Sequence, residues 1–334
     1  MKHSKTTIKV AEGDCFGGIS PRDYKKKWPQ HVWHLENVYI GGGGSIYDEN
    51  FNLIPQTRFT YLFWKHLHDE ELRPSNPPGA AKKKYDQSCT PSKIKQLKKG
   101  VDYIYAHHYF NIYVYGHLWD TFQDLSKIRN LKLNNKKLIC APFTGHVHNL
   151  PLHFKAIGYP QKDVLSLHLP SESTTLYKIP SLYYPSVTAY PTMVSRQGLE
   201  FIRNNYFKLA PASESACKLY LKRPNNNRSV LNEGEVVKLL KKQGFIILDG
   251  SEGIVRHIEL FRAASVIVGA HGAMVKNLIF CSEGTRVIEF FSDKYVNTCY
   301  KSTANLMNLE YESIETMGDK DNNIKIPLRL LNYE

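Results

Sequence analysis

The last third of the chain alternates short, fully apolar runs with amphipathic segments of helical period. The amphipathic segments predict helices at 232–243 and 252–264. The first of these begins with Asn232 and has Glu235 three residues later, as in a capping box, and Gly244 stops it. The apolar runs predict strands at 218–222, 245–248, 265–268 and 286–291. Apolar strands that are each followed by a helix are typical of a parallel sheet covered on both faces, so we predict a Rossmann-like half of an α/β protein.

The earlier part of the chain is less regular. Helical spacing predicts a helix at 118–128, whereas 137–141 and 164–169 are predicted strands. Residues 145–156 are interpreted as loop and helix. Proline and tyrosine dominate residues 180–191, a composition that favours a linker or an interdomain loop.

The length and net charge of the chain limit the kinds of protein it can be. The chain has 334 residues and a formal net charge of +13, and this length suits one large domain or two of ordinary size. A hydrophobic content of 42% allows a real core and argues against disorder. The positive charge favours an anionic partner, such as nucleic acid, a phosphate-bearing ligand or an acidic polymer, unless it is only a solvated face.

The cysteines and the apolar content bear on the cellular location. The six cysteines are far apart and form no C-x-x-C pair, which argues against a zinc ribbon or a dense disulfide framework. The N-terminus is polar, and no stretch approaches 18 uninterrupted apolar residues. We therefore expect no membrane span and a cytoplasmic or, at most, peripheral protein.

Candidate ligand-binding residues follow the predicted strands of the last third. Arg223 and Arg228 come after the first strand, His271 and Gly272 lie in the turn Gly-Ala-His-Gly-Ala, and Glu289 lies in or at the end of the last strand. Ligands of open parallel sheets bind beyond the carboxyl ends of the strands. Arginines clamp phosphate oxygens, a glycine turn before a helix admits a pyrophosphate, and a carboxylate accepts ribose hydroxyls. The pattern predicts a nucleotide-diphosphate site, although each element alone also occurs as an ordinary turn or surface residue.

A family resemblance rests on these residues and their neighbours. The stretches 228–233, 266–273, 277–280 and 287–289, with Gly284 between the last two, resemble the signature of glycosyltransferase family 61. That family includes plant xylan xylosyl- and arabinosyltransferases and animal transferases of N-acetylglucosamine that act on EGF repeats and dystroglycan. A looser match covers residues 111–120, and the first 100 residues show none.

The resemblance implies a fold and a reaction. The fold is of the GT-B type, with two Rossmann-like domains facing across a cleft and the donor held by the C-terminal one. The implied domains are 1–185 on the acceptor side, 186–305 for the nucleotide-sugar, and 306–334 as a tail that packs back on the N-terminal domain. The implied reaction inverts the anomeric carbon, which needs one general base and stabilisation of the leaving diphosphate.

The resemblance also assigns roles to residues. Asp120 is the preferred base and His117, one helical turn earlier, orients it or contacts the donor; the reverse assignment and Asp124 are alternatives. The expected nucleotide-binding residues are Arg223, Arg228, His271, Gly272, Ala273, Asn277 and Glu289, with the arginines on the diphosphate and Glu289 on the ribose. Asn277 holds the turn or touches the nucleotide.

Cofactor, donor and acceptor follow from the same family reading. No D-x-D motif stands at a predicted strand end, so a divalent metal is not expected and no cofactor is required beyond a UDP-sugar as co-substrate. Xylose is the first expectation for the sugar and N-acetylglucosamine the second. The acceptor is an oligosaccharide or a glycoprotein glycan. Without an anchor or signal in the sequence, we expect a bacterial or large-virus enzyme working in a cytoplasm, or else a chain trimmed from a longer protein.

Three rival functions have less support in the sequence. A dehydrogenase would need G-x-G-x-x-G after an early strand, which is missing from the C-terminal part. A nucleic-acid-binding protein would explain the charge but lacks a recognition motif, and we expect no nucleic-acid partner. A non-catalytic glycan-binding member of the family would retain the fold without the chemistry.

Overall fold

The structure, a computed structural model, describes residues 5–9, 13–17, 24–28, 31–54, 90–106, 117–140, 150–167, 169, 173–185, 194–211, 215–223, 228–297 and 299–333. The chain divides into two compact units. The first unit is Met1–Gly13 with Trp28–Tyr190, and the second is Asp14–Lys27 with Pro191–Glu334. Both are of the mixed α/β type and contain parallel strands, as predicted.

The described residues form sixteen strands and six α-helices. The strands are β1 (Lys5–Lys9), β2 (Gly13–Gly17), β3 (Tyr24–Trp28), β4 (His31–Ile40), β5 (Ile46–Tyr47), β6 (Lys93–Gln96), β7 (Tyr103–Tyr105), β8 (Lys137–Cys140), β9 (Val164–Ser166), β10 (Thr175–Pro185), β11 (Val194–Ser195), β12 (Cys217–Leu221), β13 (Phe245–Leu248), β14 (Ala264–Ala270), β15 (Arg286–Ser292) and β16 (Glu310–Thr316). The helices are α1 (His117–Leu125), α2 (Leu150–Ala156), α3 (Arg196–Tyr206), α4 (Glu233–Lys242), α5 (Gly253–Ala263) and α6 (Cys299–Leu306). Short 3₁₀ helices span Gly42–Gly44, Ser126–Ile128, Gln161–Asp163, Ala273–Phe280 and Leu328–Leu330.

The first unit is built on one mixed sheet with the order β1-β4-β10-β7-β8-β9. Strands β10, β7, β8 and β9 run parallel, whereas β1 and β10 lie antiparallel to β4. The predicted helix at 118–128 is confirmed as α1 followed by the 3₁₀ turn Ser126–Ile128. Its apolar residues Leu118, Trp119 and Phe122 are buried, and the polar residues Asp120 and Asp124 on the same helix are buried as well.

Strand β10 corrects the interpretation of residues 180–191 as a linker or loop for its first part, 180–185; residues 186–191 lie outside the described residues. Residues up to Pro185 belong to this 11-residue strand, which lies inside the sheet. Leu182 and Tyr184 alternate with half-buried side chains and pack into the core, so the tyrosines act as strand residues. Pro180 is tolerated because it falls between the segment of β10 that pairs with β6 and the segment that pairs with β7.

The second unit contains an all-parallel sheet with the order β13-β12-β14-β15-β16, which confirms the predicted alternation of strands and helices. Helix α4 packs on one face with Tyr220, Val268 and Phe290, and the alternate residues Leu219 and Ile267 are buried as well. The chain enters the sheet at β12, adds β13 on one side, and then crosses to β14 on the other. The direction of winding therefore reverses between β12 and β14.

The start of α4 differs in detail from the predicted capping box. Asn232 is the N-cap residue, but its side chain makes no cap hydrogen bond. Its amide bonds instead to the backbone of Ile326, donating from Nδ2 to the carbonyl at 2.9 Å and accepting from the N–H at 3.0 Å. Gly244 ends the helix region with a φ of 80°, as predicted.

The C-terminal residues, predicted at 306–334 as a tail, contain a strand of the second unit. Strand β16 is the fifth strand of the second unit's sheet. Beyond it, Ile324, Ile326 and Leu331 join the core formed with α4, and Gln243 donates to the carbonyl of Leu331. The physical reason is that these apolar side chains cover the face of α4 and the sheet that would otherwise meet water. A short sheet, β11-β2-β3, lies in the same unit apart from Gly13, the first residue of β2, and Trp28, the last residue of β3.

None of the helices in the described ranges has the length and apolar content needed to cross a bilayer.

Candidate functional site

The candidate site lies where the winding of the second unit's sheet reverses, between the carboxyl ends of β12 and β14. Open parallel sheets bind ligands at such a switch point. Arg223 lies just beyond β12, and its Nη1 donates a hydrogen bond to the backbone carbonyl of His271, just beyond β14. The structure thus brings together two predicted residues that are 48 positions apart in the chain.

Gly272 leaves space for the guanidinium of Arg223 in the position that the structure gives it. Its φ of −175° is ordinary extended backbone, but a Cβ atom there would lie 2.4 Å from Nη1 of Arg223. Gly269, within β14 itself, makes a similar approach, since a Cβ there would lie 2.9 Å from the Cβ of Leu221 on β12. The two glycines therefore let β14 and the turn after it approach β12 and its arginine closely.

The imidazole of His271 is held by Glu289. Nδ1 lies 2.7 Å from Oε1 of Glu289, and Oε2 accepts a hydrogen bond of 2.5 Å from the hydroxyl of Tyr311. Glu289 is only 1% exposed, and both of its oxygens already have donors. This geometry supports a role for Glu289 in orienting His271, in place of the expected contact with ribose hydroxyls.

Aromatic rings enclose the same imidazole. The ring of His271 stacks on Phe291 with centroids 5.1 Å apart, and it lies 5.3 Å from Tyr300 and 5.9 Å from Tyr295. The ring plane is thus set by packing, and Nε2 is the ring nitrogen that points away from Glu289.

Two guanidinium groups make the site positive. Arg228 lies over the ring of Tyr295, 4.8 Å from its centroid, at a φ of 67° that is uncommon outside glycine. The pKa of Arg223 is lowered, first by burial and then by the positive charge of Arg228. These two effects outweigh those of Tyr300, Glu233 and Tyr295, which raise the pKa. The two cations repel each other, and an anion bound between them would offset that repulsion. This arrangement therefore favours a phosphate-bearing ligand.

The remaining predicted residues of this region belong to the 3₁₀ helix Ala273–Phe280. Asn277 is 0% exposed, which supports the first of its two predicted roles, holding the turn. Ala273 begins the helix, and the amides of a first helical turn have no acceptor within the helix. The N–H of His271 itself donates to the carbonyl of Phe290 at 2.9 Å, so it is already used within the sheet.

The predicted catalytic residues lie in the first unit, on α1. The side chain of His117 is outside the described residues, as are residues 111–116, which carry the looser family match. Asp120 is 1% exposed. Because a general base must reach the acceptor hydroxyl, its predicted role requires Asp120 to gain exposure in the substrate complex.

Asp124, the third choice for the base, is engaged in a buried ion pair. Its Oδ1 lies 2.9 Å from Nζ of Lys127, and the two side chains are 8% and 0% exposed. A carboxylate paired in this way stabilises the fold, since the lysine charge would otherwise be buried alone.

Asp319 and Asp321 have the D-x-D spacing in the sequence, away from the predicted strand ends, and in the structure the first of them has a local structural role. The carboxylate of Asp319 accepts hydrogen bonds from the backbone N–H groups of Asp321 and Asn323 and from the side-chain amide of Asn323, at 2.8–2.9 Å. In the part of the chain described here, no three His, Cys, Asp or Glu side chains come together in a way that suits a metal ion.

Sequence reasoning missed Tyr311, Tyr295, Tyr300 and Phe291. Tyr311 lies on β16, whose alternating residues Glu310–Thr316 were assigned to the tail. That alternation is a strand signal, and it was the only local sign that a further strand borders Glu289.

Comparison with known proteins bears on the whole arrangement. The family model described as Glycosyltransferase 61 matches residues 82–288, which is more than half of the chain. The match includes Asp120, Arg223 and His271 and ends one residue before Glu289. Because it begins at residue 82, the expectation of no match in the first 100 residues is wrong for residues 82–100. No curated protein matches the chain.

Proposed function

The chain belongs to glycosyltransferase family 61, and on that premise we propose that it moves a sugar from a UDP-sugar to a hydroxyl of a glycan acceptor with inversion at the anomeric carbon. Family membership makes the protein a glycosyltransferase. The donor, the sugar and the stereochemistry are the proposal. The observation that carries it is the bond from Arg223 to the carbonyl of His271 at the switch point of the parallel sheet.

Arg223 and Arg228 would bind the diphosphate of the donor. When the bond from the sugar to the diphosphate breaks, negative charge grows on the leaving oxygen, and fixed cations beside that oxygen stabilise the transition state more than the ground state. Arg223 is held in place by its bond to His271, and Arg228 by its stacking on Tyr295. Preorganisation of this kind avoids reorientation during the reaction.

His271 would add a third donor to the same group. Its Nδ1 is taken by Glu289, so Nε2 is left for a phosphate oxygen. With Nδ1–H bonded to Glu289, the doubly protonated imidazole is the form whose Nε2–H donates to a phosphate oxygen. With arginines and an imidazole neutralising the diphosphate, the chemistry needs no divalent cation, and metal independence is part of the proposal.

The acceptor hydroxyl needs one general base. Asp120 is the preferred base and His117 the alternative. A GT-B architecture, with residues 1–185 serving the acceptor and 186–305 the nucleotide-sugar, is also proposed on family grounds. Xylose is the favoured sugar and N-acetylglucosamine the second choice, with a glycan as the acceptor.

Titration calorimetry with UDP, GDP and CMP tests the nucleotide assignment. We expect UDP to bind with a dissociation constant below about 1 mM, the upper end of ordinary substrate affinities, and Arg223→Ala to weaken it. Arg256→Ala is the matched control, because Arg256 is half exposed and pairs with Glu259 on the same helix. Donor hydrolysis with UDP-xylose and UDP-N-acetylglucosamine, with and without EDTA, then identifies the sugar and tests metal independence.

Two results would overturn the proposal. One is the absence of binding by any of the three nucleotides at millimolar concentration. The other is UDP binding that Arg223→Ala and Arg256→Ala weaken equally, because the switch point would then have no special role.

A further inference from the structure

Tyr311, Glu289 and His271 form a continuous chain of hydrogen bonds across three neighbouring strands. The hydroxyl of Tyr311 on β16 donates to Oε2 of Glu289 on β15, and Oε1 of Glu289 meets Nδ1 of His271 at the end of β14. The chain ends at Nε2 of His271, on the side of the imidazole that is turned away from Glu289.

The donors and acceptors in this chain are settled by chemistry. Burial, and then the negative charge of Glu289, raise the pKa of Tyr311 well above its ordinary value, so the phenol keeps its proton. The hydroxyl is therefore the donor to Oε2. Oε1 then accepts from Nδ1–H of His271, and a neutral imidazole in this chain carries its proton on Nδ1.

A buried carboxylate in this position lowers the stability of the fold if its role is only structural. Glu289 is 1% exposed, and an ionised carboxylate removed from water costs several kcal/mol unless it is well paired. A hydrophobic side chain of similar size would stabilise the sheet as well or better. The carboxylate instead fixes an orientation. With one donor on each oxygen, its own rotation is restricted, and the rotation of the imidazole bonded to it is restricted in turn.

The described residues around His271 restrict the part of its side chain that a ligand can contact. Phe291 lies against the ring at 5.1 Å, and Tyr300 and Tyr295 lie at 5.3 and 5.9 Å. The backbone carbonyl of the same residue accepts from Arg223. With its faces packed and Nδ1 bonded, the 8% of His271 that stays exposed is what a ligand can reach.

We propose that Tyr311 is a positioning residue that acts through Glu289 to present Nε2 of His271 to the diphosphate of the donor. The inference rests on the proposed function of the same site and extends it to a residue on the neighbouring strand. Tyr311 does not itself touch the ligand.

Tyr311→Phe tests this inference, because it removes one hydroxyl and leaves the ring in place. We expect UDP affinity to fall about fivefold and uridine affinity to stay unchanged. The effect on UDP is modest because the lost charge-assisted hydrogen bond, from Tyr311 to Glu289, does not contact the ligand directly. A merely structural role would weaken UDP and uridine alike. Tyr333→Phe is the matched control: Tyr333 is a partly buried tyrosine of the same unit, and its ring packs on Phe245.

A double-mutant cycle with Glu289→Gln tests the path of the effect. If Tyr311 acts through Glu289, Tyr311→Phe should change UDP affinity less than about twofold in the Glu289→Gln background. Independent losses that multiply, equal weakening of UDP and uridine, or an unchanged UDP affinity in Tyr311→Phe would each overturn the inference. Failure of the wild-type protein to bind UDP would overturn the proposed function instead, so the two failures are distinguishable.

A second measurement covers the case in which Tyr311→Phe lowers stability. Nitrogen-15 spectra of the ligand-free wild-type protein, assigned with His271→Gln, report which nitrogen of His271 carries a proton. We expect the Nδ1–H form in the neutral state. A neutral imidazole protonated only on Nε2 would contradict the hydrogen-bond chain.

Discussion

Nη1 of Arg223 occupies the space beside Gly272 so closely that a Cβ atom on residue 272 would lie 2.4 Å away. The same nitrogen donates to the carbonyl of His271. The position of the arginine therefore depends on the absence of a side chain at its neighbour, which links the glycine turn to the anion-binding group in a way that can be tested.

Gly272→Ala should displace Arg223 and weaken UDP binding roughly tenfold, because small misplacements of a catalytic group have large effects on its interactions. Its cost in stability should stay near 1–3 kcal/mol, about that of overpacking. Calorimetry and urea unfolding measure the two effects. Gly234→Ala is the control, since a Cβ there meets nothing within 4 Å and the glycine has no positive φ; equal UDP affinity in both variants would contradict the link.

Arg223→Ala should lower kcat/KM by about 100-fold, as removal of one preorganised donor to a developing oxyanion does. Arg223→Lys should recover only part of this loss, because an ammonium group cannot bond to the His271 carbonyl and grip a phosphate in the same planar geometry. Steady-state kinetics with the donor identified by hydrolysis measures both. Full activity in the lysine variant would show that charge alone is sufficient.

Asp120→Asn should abolish sugar transfer and leave UDP affinity nearly unchanged, because the base acts on the acceptor and not on the nucleotide. Transfer rates and calorimetry on the same preparation provide the comparison. A parallel loss of transfer and UDP affinity would refute the assignment.

Asp124→Asn separates catalysis from stability on the same helix. Removing one partner of the buried pair with Lys127 should lower the free energy of unfolding by about 3–5 kcal/mol. Asp163→Asn, which breaks the partly exposed pair with Lys137, should cost under about 1 kcal/mol. Urea unfolding of the two variants tests the difference, and equal costs would mean that the Asp124 pair is solvated.

The loop after β13 should be sensitive to acid. Burial raises the pKa of Glu252, but hydrogen bonds from the backbone N–H groups of Asp249 and of Glu252 itself, together with His257, bring the pKa below its ordinary value of 4.5. A lowered pKa in the folded state means that Glu252 stabilises the fold above its unfolded pKa. This stabilisation is lost as the pH falls through the lower folded value.

Urea midpoints measured from pH 6 downward should therefore decline less steeply in Glu252→Gln than in the wild-type protein. The amide is neutral throughout and has no such dependence. Glu259→Gln is the matched control on the same helix, because Glu259 is partly exposed and pairs only with Arg256 in the contacts described. Identical pH profiles for wild type and Glu252→Gln would show that the carboxylate is not stabilised by folding.

Several local features could be predicted because they depend on nearby residues. The apolar runs that became β13, β14 and β15 are explained by burial on both faces of the sheet, and Gly244 ends its helix by adopting a positive φ. Asn232 was recognised as an N-cap residue, but its hydrogen bonds to Ile326 depend on a segment 94 residues away.

The sequence by itself determined the parallel α/β unit, the position of Arg223 and His271 at the ends of their strands, and the family. These features follow from hydrophobic periodicity and from a motif, both of which can be read within a few neighbouring residues. Only the tertiary structure decided that the carboxylate of Glu289 bonds to His271 and Tyr311, and that the proline-rich segment before Pro185 is an inner strand. Those outcomes depend on which strands become neighbours and in which register, and register is set by packing across the whole sheet.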